Sequence, residues 1–296
     1  MFDLRYHVAS LTAVFLALII GILVGVGISG KGFVSDSERK LLNEKIDSLH
    51  SQLDSATRRG DGLAKAQRAA QIFVKDAYPA LMDQRLSGQR VALVFVGTED
   101  GRTRSLVEQS LRDAGGGAPL RTQALKVPID LPTLRHALAG HPALVALATR
   151  KTIGELGRRL GQDFVAGGDS PVWSLLGDDL LEEQSGNDGP AADAVVVART
   201  VKPQSGVTAR FLSGFYSGLG FGGLPAVGVE RSQRGQPSAV PAFSKSGLST
   251  VDDLDTEAGR LALVLLLGGA NPGHYGLAKS AGDGVLPPIP AVAAGG

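Results

Sequence analysis

The chain has 296 residues, with 30 Lys and Arg against 29 Asp and Glu, a formal net charge of +1, and no cysteine. This balance, together with only 5% aromatic residues, argues against nucleic acid as a partner, because nucleic-acid binders need basic patches and stacking platforms. The lack of cysteine excludes disulfides, thiolate nucleophiles and cysteine metal sites.

The first element is an apolar stretch at residues 8–29, which follows a short segment at residues 1–7. No residue from Val8 to Ile28 is charged, and a helix of this length spans roughly 31 Å, close to the thickness of a bilayer core. A signal peptide has a shorter apolar core, a basic segment before it and a small-residue cleavage site after it, whereas here only Arg5 precedes the stretch. We therefore predict an uncleaved single transmembrane helix, a signal anchor whose partner is the lipid bilayer.

Small residues recur along this helix at steps of four. Such a ridge suits a close crossing of two membrane helices, although alanine and glycine are abundant enough here for the pattern to arise by chance. The predicted helix-packing face consists of Ala9, Ala13, Ala17, Gly21, Gly25 and Ser29.

Residues 33–86 are predicted to form a coiled-coil stalk. Apolar residues follow alternating steps of four and three, which is a heptad seam, and charged residues lie between them. The alternative is an amphipathic helix lying on its own domain. Gly60 and Gly62 predict a break, a stutter or a bend in this helix. The predicted seam is Leu42, Ile46, Leu49, Leu53 and Ala56.

Residues 88–282 are predicted to form an α/β domain. Short apolar runs bounded by turns read as buried strands, and most are followed by a helical pattern, which predicts layers around a mainly parallel sheet. Residues 177–192 are expected to form a polar loop, and the proline-rich tail at 283–296 is expected to be disordered. The predicted strands are residues 90–97, 142–149, 193–200 and 225–231, and the final helix is 255–267.

Three local motifs have a structural and a functional interpretation. The glycines from Gly218 to Gly223 match G-x-G-x-x-G, but they follow a predicted helix and precede a strand, the reverse of a dinucleotide site. The segment from Gly97 to Gly101 reads as a turn and helix cap. The acidic group Asp252, Asp253, Asp255 and Glu257 suits the start of a helix better than a cation site.

No combination of residues indicates catalysis. The histidines show neither the H-x-x-x-H nor the H-E-x-x-H spacing, and there is no G-x-S-x-G elbow. We therefore predict no catalytic, cofactor-binding or metal-binding residue, and no enzyme activity, with an unrecognised α/β enzyme as the alternative. The five histidines are His7, His50, His136, His141 and His274.

The opening "MFDLRYHVASLTAVFLALIIGILVGVG" and the later stretches "GLPAVGVE", "STVDDLDTEAGRLALVLLL" and "GHYG" resemble the actinobacterial copper transporter MctB family. The resemblance covers most of the chain. It implies a role in copper transport or homeostasis at the cell envelope, with the α/β domain outside the cytoplasmic membrane. A related branch implies an alternative role in cell separation, in which a partner protein helps to control peptidoglycan hydrolysis.

The residues themselves limit what copper can do here. Cu(I) prefers sulfur ligands and Cu(II) accepts imidazoles, yet the chain has no cysteine and only Met1 and Met82. We therefore expect no cofactor, and copper is implied by the resemblance alone. From the coiled-coil stalk we expect a homodimer, and we expect it to bind a protein partner in the envelope. The positive charges after the span favour a cytoplasmic domain, but the resemblance implies the outer side.

Overall fold

The computed structural model describes residues 4–29, 36–232 and 235–289. The chain divides into two compact units, the first ending at Ala70 and the second beginning at Gln71. The expected hinge at residues 30–32 lies outside the described residues, as do residues 290–296 of the tail. Residues 283–289 contain no helix or strand.

The first unit is helical. It contains helix α1, Leu4–Ser29, and most of helix α2, Asp36–Met82, whose last turns belong to the second unit. Helix α2 is continuous across Gly60 and Gly62, so the chain is not broken there as one reading of the sequence suggested. Each glycine costs a helix roughly 1 kcal/mol, and alanine, lysine and arginine around them favour the helix.

The second unit is built on one seven-stranded sheet with the order β3-β2-β1-β4-β5-β6-β7. All neighbouring strands are parallel except β2 and β3, which pair antiparallel at one edge. The predicted class, an α/β domain with a mainly parallel sheet after an N-terminal apolar helix, is confirmed. The strands are β1 (Val91–Val96), β2 (Arg121–Leu125), β3 (Leu181–Gly186), β4 (Ala194–Arg199), β5 (Ala226–Val229), β6 (Ser249–Val251) and β7 (His274–Tyr275).

Helices cover both faces of the sheet. The bounds are α3 (Gly101–Asp113), α4 (Leu131–Ala137), α5 (Pro142–Val145), α6 (Ile153–Ala166), α7 (Pro171–Leu180), α8 (Gly206–Leu219), α9 (Val240–Lys245) and α10 (Glu257–Leu267). The end of α2, with α3 and α10, packs on one face, and α4 to α9 pack on the other. Strand β1 is apolar throughout because alternate residues enter these two cores.

Helices α6 and α8 meet through glycines rather than through side chains. A Cβ built on Gly218 would lie 3.1 Å from the Cα of Arg158 and closer still to its carbonyl oxygen. Gly157 and Gly161 of α6 face the backbone of α8 in the same way. The two backbones therefore touch, and no side chain larger than hydrogen fits at these positions.

Two expectations for the domain are wrong. Residues 142–149 form α5 and turns instead of a strand, since Pro142 opens a helix and a short apolar run fits either structure. Residues 177–192 are not simply a loop, because they contain the end of α7 and the edge strand β3. Strands β2, β3, β6 and β7 were not predicted.

Candidate functional site

The apolar helix α1 has the length and composition of a membrane span. Its segment His7–Gly27 has 21 residues, a mean hydropathy of 2.6 and no buried residue. Twenty-one residues at 1.5 Å per residue reach about 31 Å, which matches a bilayer core. Its exposed apolar side chains require a nonpolar surrounding, and the lipid bilayer provides one.

Within the described part of the chain, the small-residue ridge of this helix is exposed. Ala9, Ala13 and Ala17 are exposed, and a Cβ built on Gly21 or Gly25 would meet no atom within 4 Å. Ser29 is the last residue of α1. The ridge is open to a second helix, and its use for self-association stays a prediction.

The predicted seam on α2 is also open. Leu42, Ile46, Leu49 and Leu53 are 57%, 43%, 62% and 63% exposed, and Ala56 is exposed. Polar side chains between them bond within the helix, as Gln52 does when its side-chain amide donates to the Ser48 hydroxyl at 3.3 Å. Four large apolar side chains therefore face solvent with heptad spacing, and pairing through them stays a prediction.

A cleft of about 320 Å³ opens at the carboxyl ends of β1, β4 and β5. In the sheet, β2 lies on one side of β1 and β4 lies on the other. The strand order therefore reverses at β1, and α/β sheets usually bind ligands beside such a reversal. Gly97, directly after β1, has a φ of +94°, and the Thr200 hydroxyl donates to the Thr98 carbonyl oxygen at 2.7 Å. This hydrogen bond holds the loop after β1 to the loop after β4.

The acidic residues on the β1 side of this cleft act as structural groups. Asp100 caps α3, accepting hydrogen bonds from the Thr103 hydroxyl at 2.6 Å and the Arg102 amide at 3.3 Å, and it pairs with Arg231 at 3.4 Å. Partial burial alone would raise the pKa of Asp100, but the Thr103 hydroxyl, Arg231 and the backbone amides outweigh it and lower that pKa. Glu99 pairs with Arg104 at 2.9 Å.

The opposite side of the cleft is similarly engaged. Glu230 accepts hydrogen bonds from the Ser238 hydroxyl at 2.9 Å and the Val240 amide at 3.2 Å, at the start of α9. Arg199 donates to the carbonyl oxygen of Pro237 at 2.8 Å, and its burial lowers its pKa. Among the described residues that line the cleft there is no histidine, and the carboxylates hold loops and helix ends. The arrangement can stabilise the fold, but it does not form a nucleophile with a base.

The acidic group before α10 has a different arrangement from the one predicted. Thr256 is the cap, since its hydroxyl accepts from the Gly259 amide at 2.9 Å. Asp253 accepts from Thr256, Asp252 accepts from the Leu277 amide at 2.9 Å, and Asp255 accepts from the Ser232 amide at 2.6 Å. Only Glu257 lies in the first turn of the helix. Asp252 and Asp255 therefore fasten neighbouring loops, a role that sequence spacing alone could not reveal.

The glycine-rich segment from Gly218 to Gly223 lies between α8 and β5 and includes a 3₁₀ turn, Phe221–Gly223. As predicted, it follows a helix and precedes a strand, so it lacks the setting of a dinucleotide-binding loop.

The side chains that bind copper best are dispersed. His7, His50, His136 and His141 are exposed on separate elements or turns. His274 is half-buried, with its two ring nitrogens 2.7 Å from the Ser244 hydroxyl and 3.0 Å from the Thr250 hydroxyl. Met82 is fully buried in the core, and Met1 lies outside the described residues. No group of three or more His, Asp or Glu residues in the described part of the chain is placed to share a metal ion.

These features define a class: a membrane-associated protein with one N-terminal apolar helix, a long second helix and an α/β domain. A family model described as "Copper transport outer membrane protein, MctB" matches residues 1–286, and the chain belongs to this family. The predicted resemblance is confirmed. Membership implies an envelope protein related to copper transport, in a family that is not a known enzyme family.

Curated relatives agree with this assignment. The chain is 28% identical over 323 residues to the copper transporter MctB of Mycobacterium bovis and to that of Mycobacterium tuberculosis, covering 95% of this chain and 98% of each relative. It is 26% identical over 322 residues to the copper transporter MctB of Mycobacterium leprae, covering 97% of this chain and all of the relative. The likeness therefore extends over both the helices and the α/β domain.

Proposed function

We propose that this protein is a single-pass membrane anchor that dimerises through α2 and supports copper homeostasis by holding its α/β domains for an envelope partner. The observation that carries the proposal is the row of exposed apolar residues on α2. Full burial of a leucine or isoleucine contributes roughly 1.5–3 kcal/mol, so four on each helix give a paired state a substantial advantage. Tethering by α1 adds to it, since two anchored helices have a high effective concentration.

The mechanism is positional. Helix α2 has 47 residues and a length of about 70 Å, so a pair of such helices can set the spacing of what they carry. We place the α/β domain on the outer side of the cytoplasmic membrane. The envelope role implied by the family supports this orientation, and the few positive charges near the span oppose it only weakly.

The role in copper homeostasis is indirect in this proposal. Sulfur and imidazole are the side-chain groups that favour copper, and here the described ones are scattered or engaged in the core. From Val8 to Ile28 the span offers apolar side chains, Phe15 among them, and the hydroxyls of Ser10 and Thr12, so one copy of α1 does not enclose a polar path. Assembly with a partner explains a link to copper without ligation by this chain.

Disulfide trapping tests the dimer, and the cysteine-free sequence makes it simple. Leu49→Cys places a thiol on the seam, and Ser51→Cys places one on the opposite side of the same helix turn. After oxidation of membranes with a copper-free reagent, we expect a disulfide-linked dimer for Leu49→Cys and little for Ser51→Cys. Equal yields for the two variants, or none for Leu49→Cys, would reject pairing through the seam.

A copper titration of the full chain in detergent, with Cu(I) and Cu(II) against a competing chelator, tests the indirect role. We expect no tight stoichiometric binding. A tight site would mean that ligands distant in sequence converge, and the proposal of indirect action would then be abandoned. A direct transport component also predicts that mutation of the ligands reproduces the copper sensitivity of a deletion strain.

A further inference from the structure

A second cavity, of about 670 Å³, lies beside the edge strand β3 and its neighbour β2, under helices α6 and α7. It shares no lining residue with the cleft at the carboxyl ends of the strands. All of its described lining residues belong to the second unit, so the proposed dimer, which pairs through the seam on α2, does not depend on it. Neither does the cavity depend on the dimer.

The floor of this cavity is polar although it is buried. Arg121 and Gln123 are 2% and 5% exposed, and because they are two residues apart on β2 they lie on the same side of the sheet. Arg121 donates to the carbonyl oxygens of Asp188 and Pro190, the first at 3.0 Å, and its guanidinium lies 5.6 Å from the centre of the Phe164 ring. Within the described chain, no carboxylate forms an ion pair with Arg121.

Three polar atoms around the cavity are buried without a hydrogen-bond partner: Arg121 Nε, Gln123 Oε1 and Asp188 Oδ1. The other carboxylate oxygen of Asp188 accepts from the Gln184 amide, so only Oδ1 is left. Buried polar atoms are rarely unpaired in proteins, because such an atom has lost its hydrogen bonds to water without replacing them. The described chain has six such side-chain atoms, and three of them belong to residues that line this cavity.

The walls are fixed before any ligand arrives. The Ser170 hydroxyl donates to Asp163 at 2.7 Å, which joins the end of α6 to the start of α7. Trp173 on α7 donates its indole N–H to the Leu160 carbonyl oxygen at 3.1 Å, so only its ring is left to contact a ligand. Lys126 donates to the Asp178 carbonyl oxygen at 2.7 Å.

The charge of the cavity selects against several ligand classes. Six carboxylates and two basic side chains line it, so a phosphate or another anion meets net repulsion. It contains no histidine, cysteine or methionine, which makes it unsuitable for copper. The unpaired atoms are one N–H donor and two oxygen acceptors. A ligand that complements them must accept a hydrogen bond at one atom and donate hydrogen bonds at neighbouring atoms. Adjacent hydroxyl groups can do both.

We propose that this cavity binds a neutral carbohydrate, whose adjacent hydroxyl groups accept from Arg121 Nε and donate to Gln123 Oε1 and Asp188 Oδ1 while a sugar face lies against Trp173. The exposed carboxylates of Glu182 and Asp178 at the rim supply further acceptors.

Saturation-transfer NMR on the full chain tests the proposal, in a detergent without a sugar head group. The probes are tetrasaccharides of glucose, mannose and N-acetylglucosamine, with inorganic phosphate and Cu(II) as competitors. We expect saturation transfer to at least one tetrasaccharide at millimolar concentration, with no displacement by phosphate or copper. No transfer to any tetrasaccharide, or displacement by phosphate, would overturn the assignment.

Gln123→Leu is the decisive variant. It removes a buried unpaired oxygen without adding one, so the folded domain should keep its melting temperature. We expect its carbohydrate affinity to fall about tenfold, the effect of one lost hydrogen bond. The matched control is Gln89→Leu, because Gln89 Oε1 is also buried and unpaired but lies outside the cavity. Equal affinities of the Gln123 and Gln89 variants would place the sugar elsewhere and reject the site.

Discussion

The hydroxyl of Tyr78 donates a hydrogen bond to the carboxylate of Asp113 at 3.1 Å, which joins the last turns of α2 to the end of α3. The Arg260 Nε donates to the same hydroxyl at 3.3 Å, and the guanidinium lies 5.4 Å from the ring centre. Met82 is fully buried one turn later. The end of the long helix is thus part of the core of the second unit.

Tyr78→Phe keeps the ring and removes the hydroxyl. We expect the free energy of unfolding to fall by about 1–2 kcal/mol, because the hydroxyl makes two hydrogen bonds and only Asp113, which is exposed, can readily turn to water. Urea denaturation followed by circular dichroism measures the change. Met82→Ala is a contrasting variant that leaves a cavity, and it should lose about 2–5 kcal/mol. An equal loss of unfolding free energy in Tyr78→Phe and Met82→Ala would contradict this expectation, because it would exceed what the hydrogen bonds of the hydroxyl can contribute.

Stability should fall at alkaline pH. Burial raises the pKa of Tyr78 from 10.0 to about 12, against the lowering effect of Arg260. Since the neutral form is favoured in the folded state, its contribution is complete below pH 10 and is lost as the pH rises towards 12. Burial also raises the pKa of Tyr216 and of Tyr275. Tyr78→Phe should therefore show a shallower, but not absent, loss of stability across this range in denaturant titrations at each pH.

Gly97→Ala should be strongly destabilising. The residue has a φ of +94°, and a Cβ there would lie 2.7 Å from the Thr200 Oγ1 and closer to the Val201 side chain. Left-handed backbone and overpacking together predict a loss of about 2–4 kcal/mol. The control is Gly101→Ala, where a Cβ meets open space at the start of α3. Thermal denaturation should leave the control within a few degrees of the parent, and a similar drop in both would refute the steric explanation.

Gly218→Ala tests the contact between α6 and α8. The added methyl group would collide with the backbone of Arg158, which cannot rotate away, so we expect a loss of at least about 3 kcal/mol or failure to fold. At Gly220, just after α8, a Cβ would make only ordinary contacts at 3.9 Å, so Gly220→Ala serves as the control. Soluble yield and melting temperature of the two variants should differ clearly.

Gly21→Leu combined with Gly25→Leu should reduce self-association of α1 several-fold, because bulky side chains prevent close approach of two helices. A membrane two-hybrid reporter carrying α1 measures it. Gly27→Leu is the control, since Gly27 lies on the other side of the helix and is equally open. An unchanged signal in the double variant would remove the ridge as a contact surface.

Sequence patterns predicted the buried central strands well. Strands β1, β4 and β5 have helices on both sides, so they are continuous apolar runs that periodicity detects. The apolar run at 142–149 has a similar composition, but it folds as a helix followed by turns. Composition cannot separate the two cases, because the deciding contacts are with residues far away in the chain.

The polar strand β2 was beyond sequence reasoning. Its segment "RTQAL" contains Arg121, Thr122 and Gln123, which are polar and break any apolar pattern, yet all of them are buried. The edge strand β3 is polar because most of its side chains are exposed. The proposed carbohydrate cavity has its buried polar floor on β2 and part of its wall on β3, so no sequence pattern indicated this candidate site. The position of the cleft at the carboxyl ends of β1, β4 and β5 could be predicted, since parallel α/β sheets usually bind ligands at that end of their strands.

The glycine contact between α6 and α8 has an evolutionary consequence. Leucines in a core can be exchanged for other apolar residues because neighbours repack, at a cost often below about 1.5 kcal/mol. Where two backbones touch there are no rotamers to repack and no smaller residue to substitute. As relatives diverge, Gly157, Gly161 and Gly218 should therefore be retained while the buried leucines around them are exchanged, and the domain would inherit this helix pair as a fixed unit.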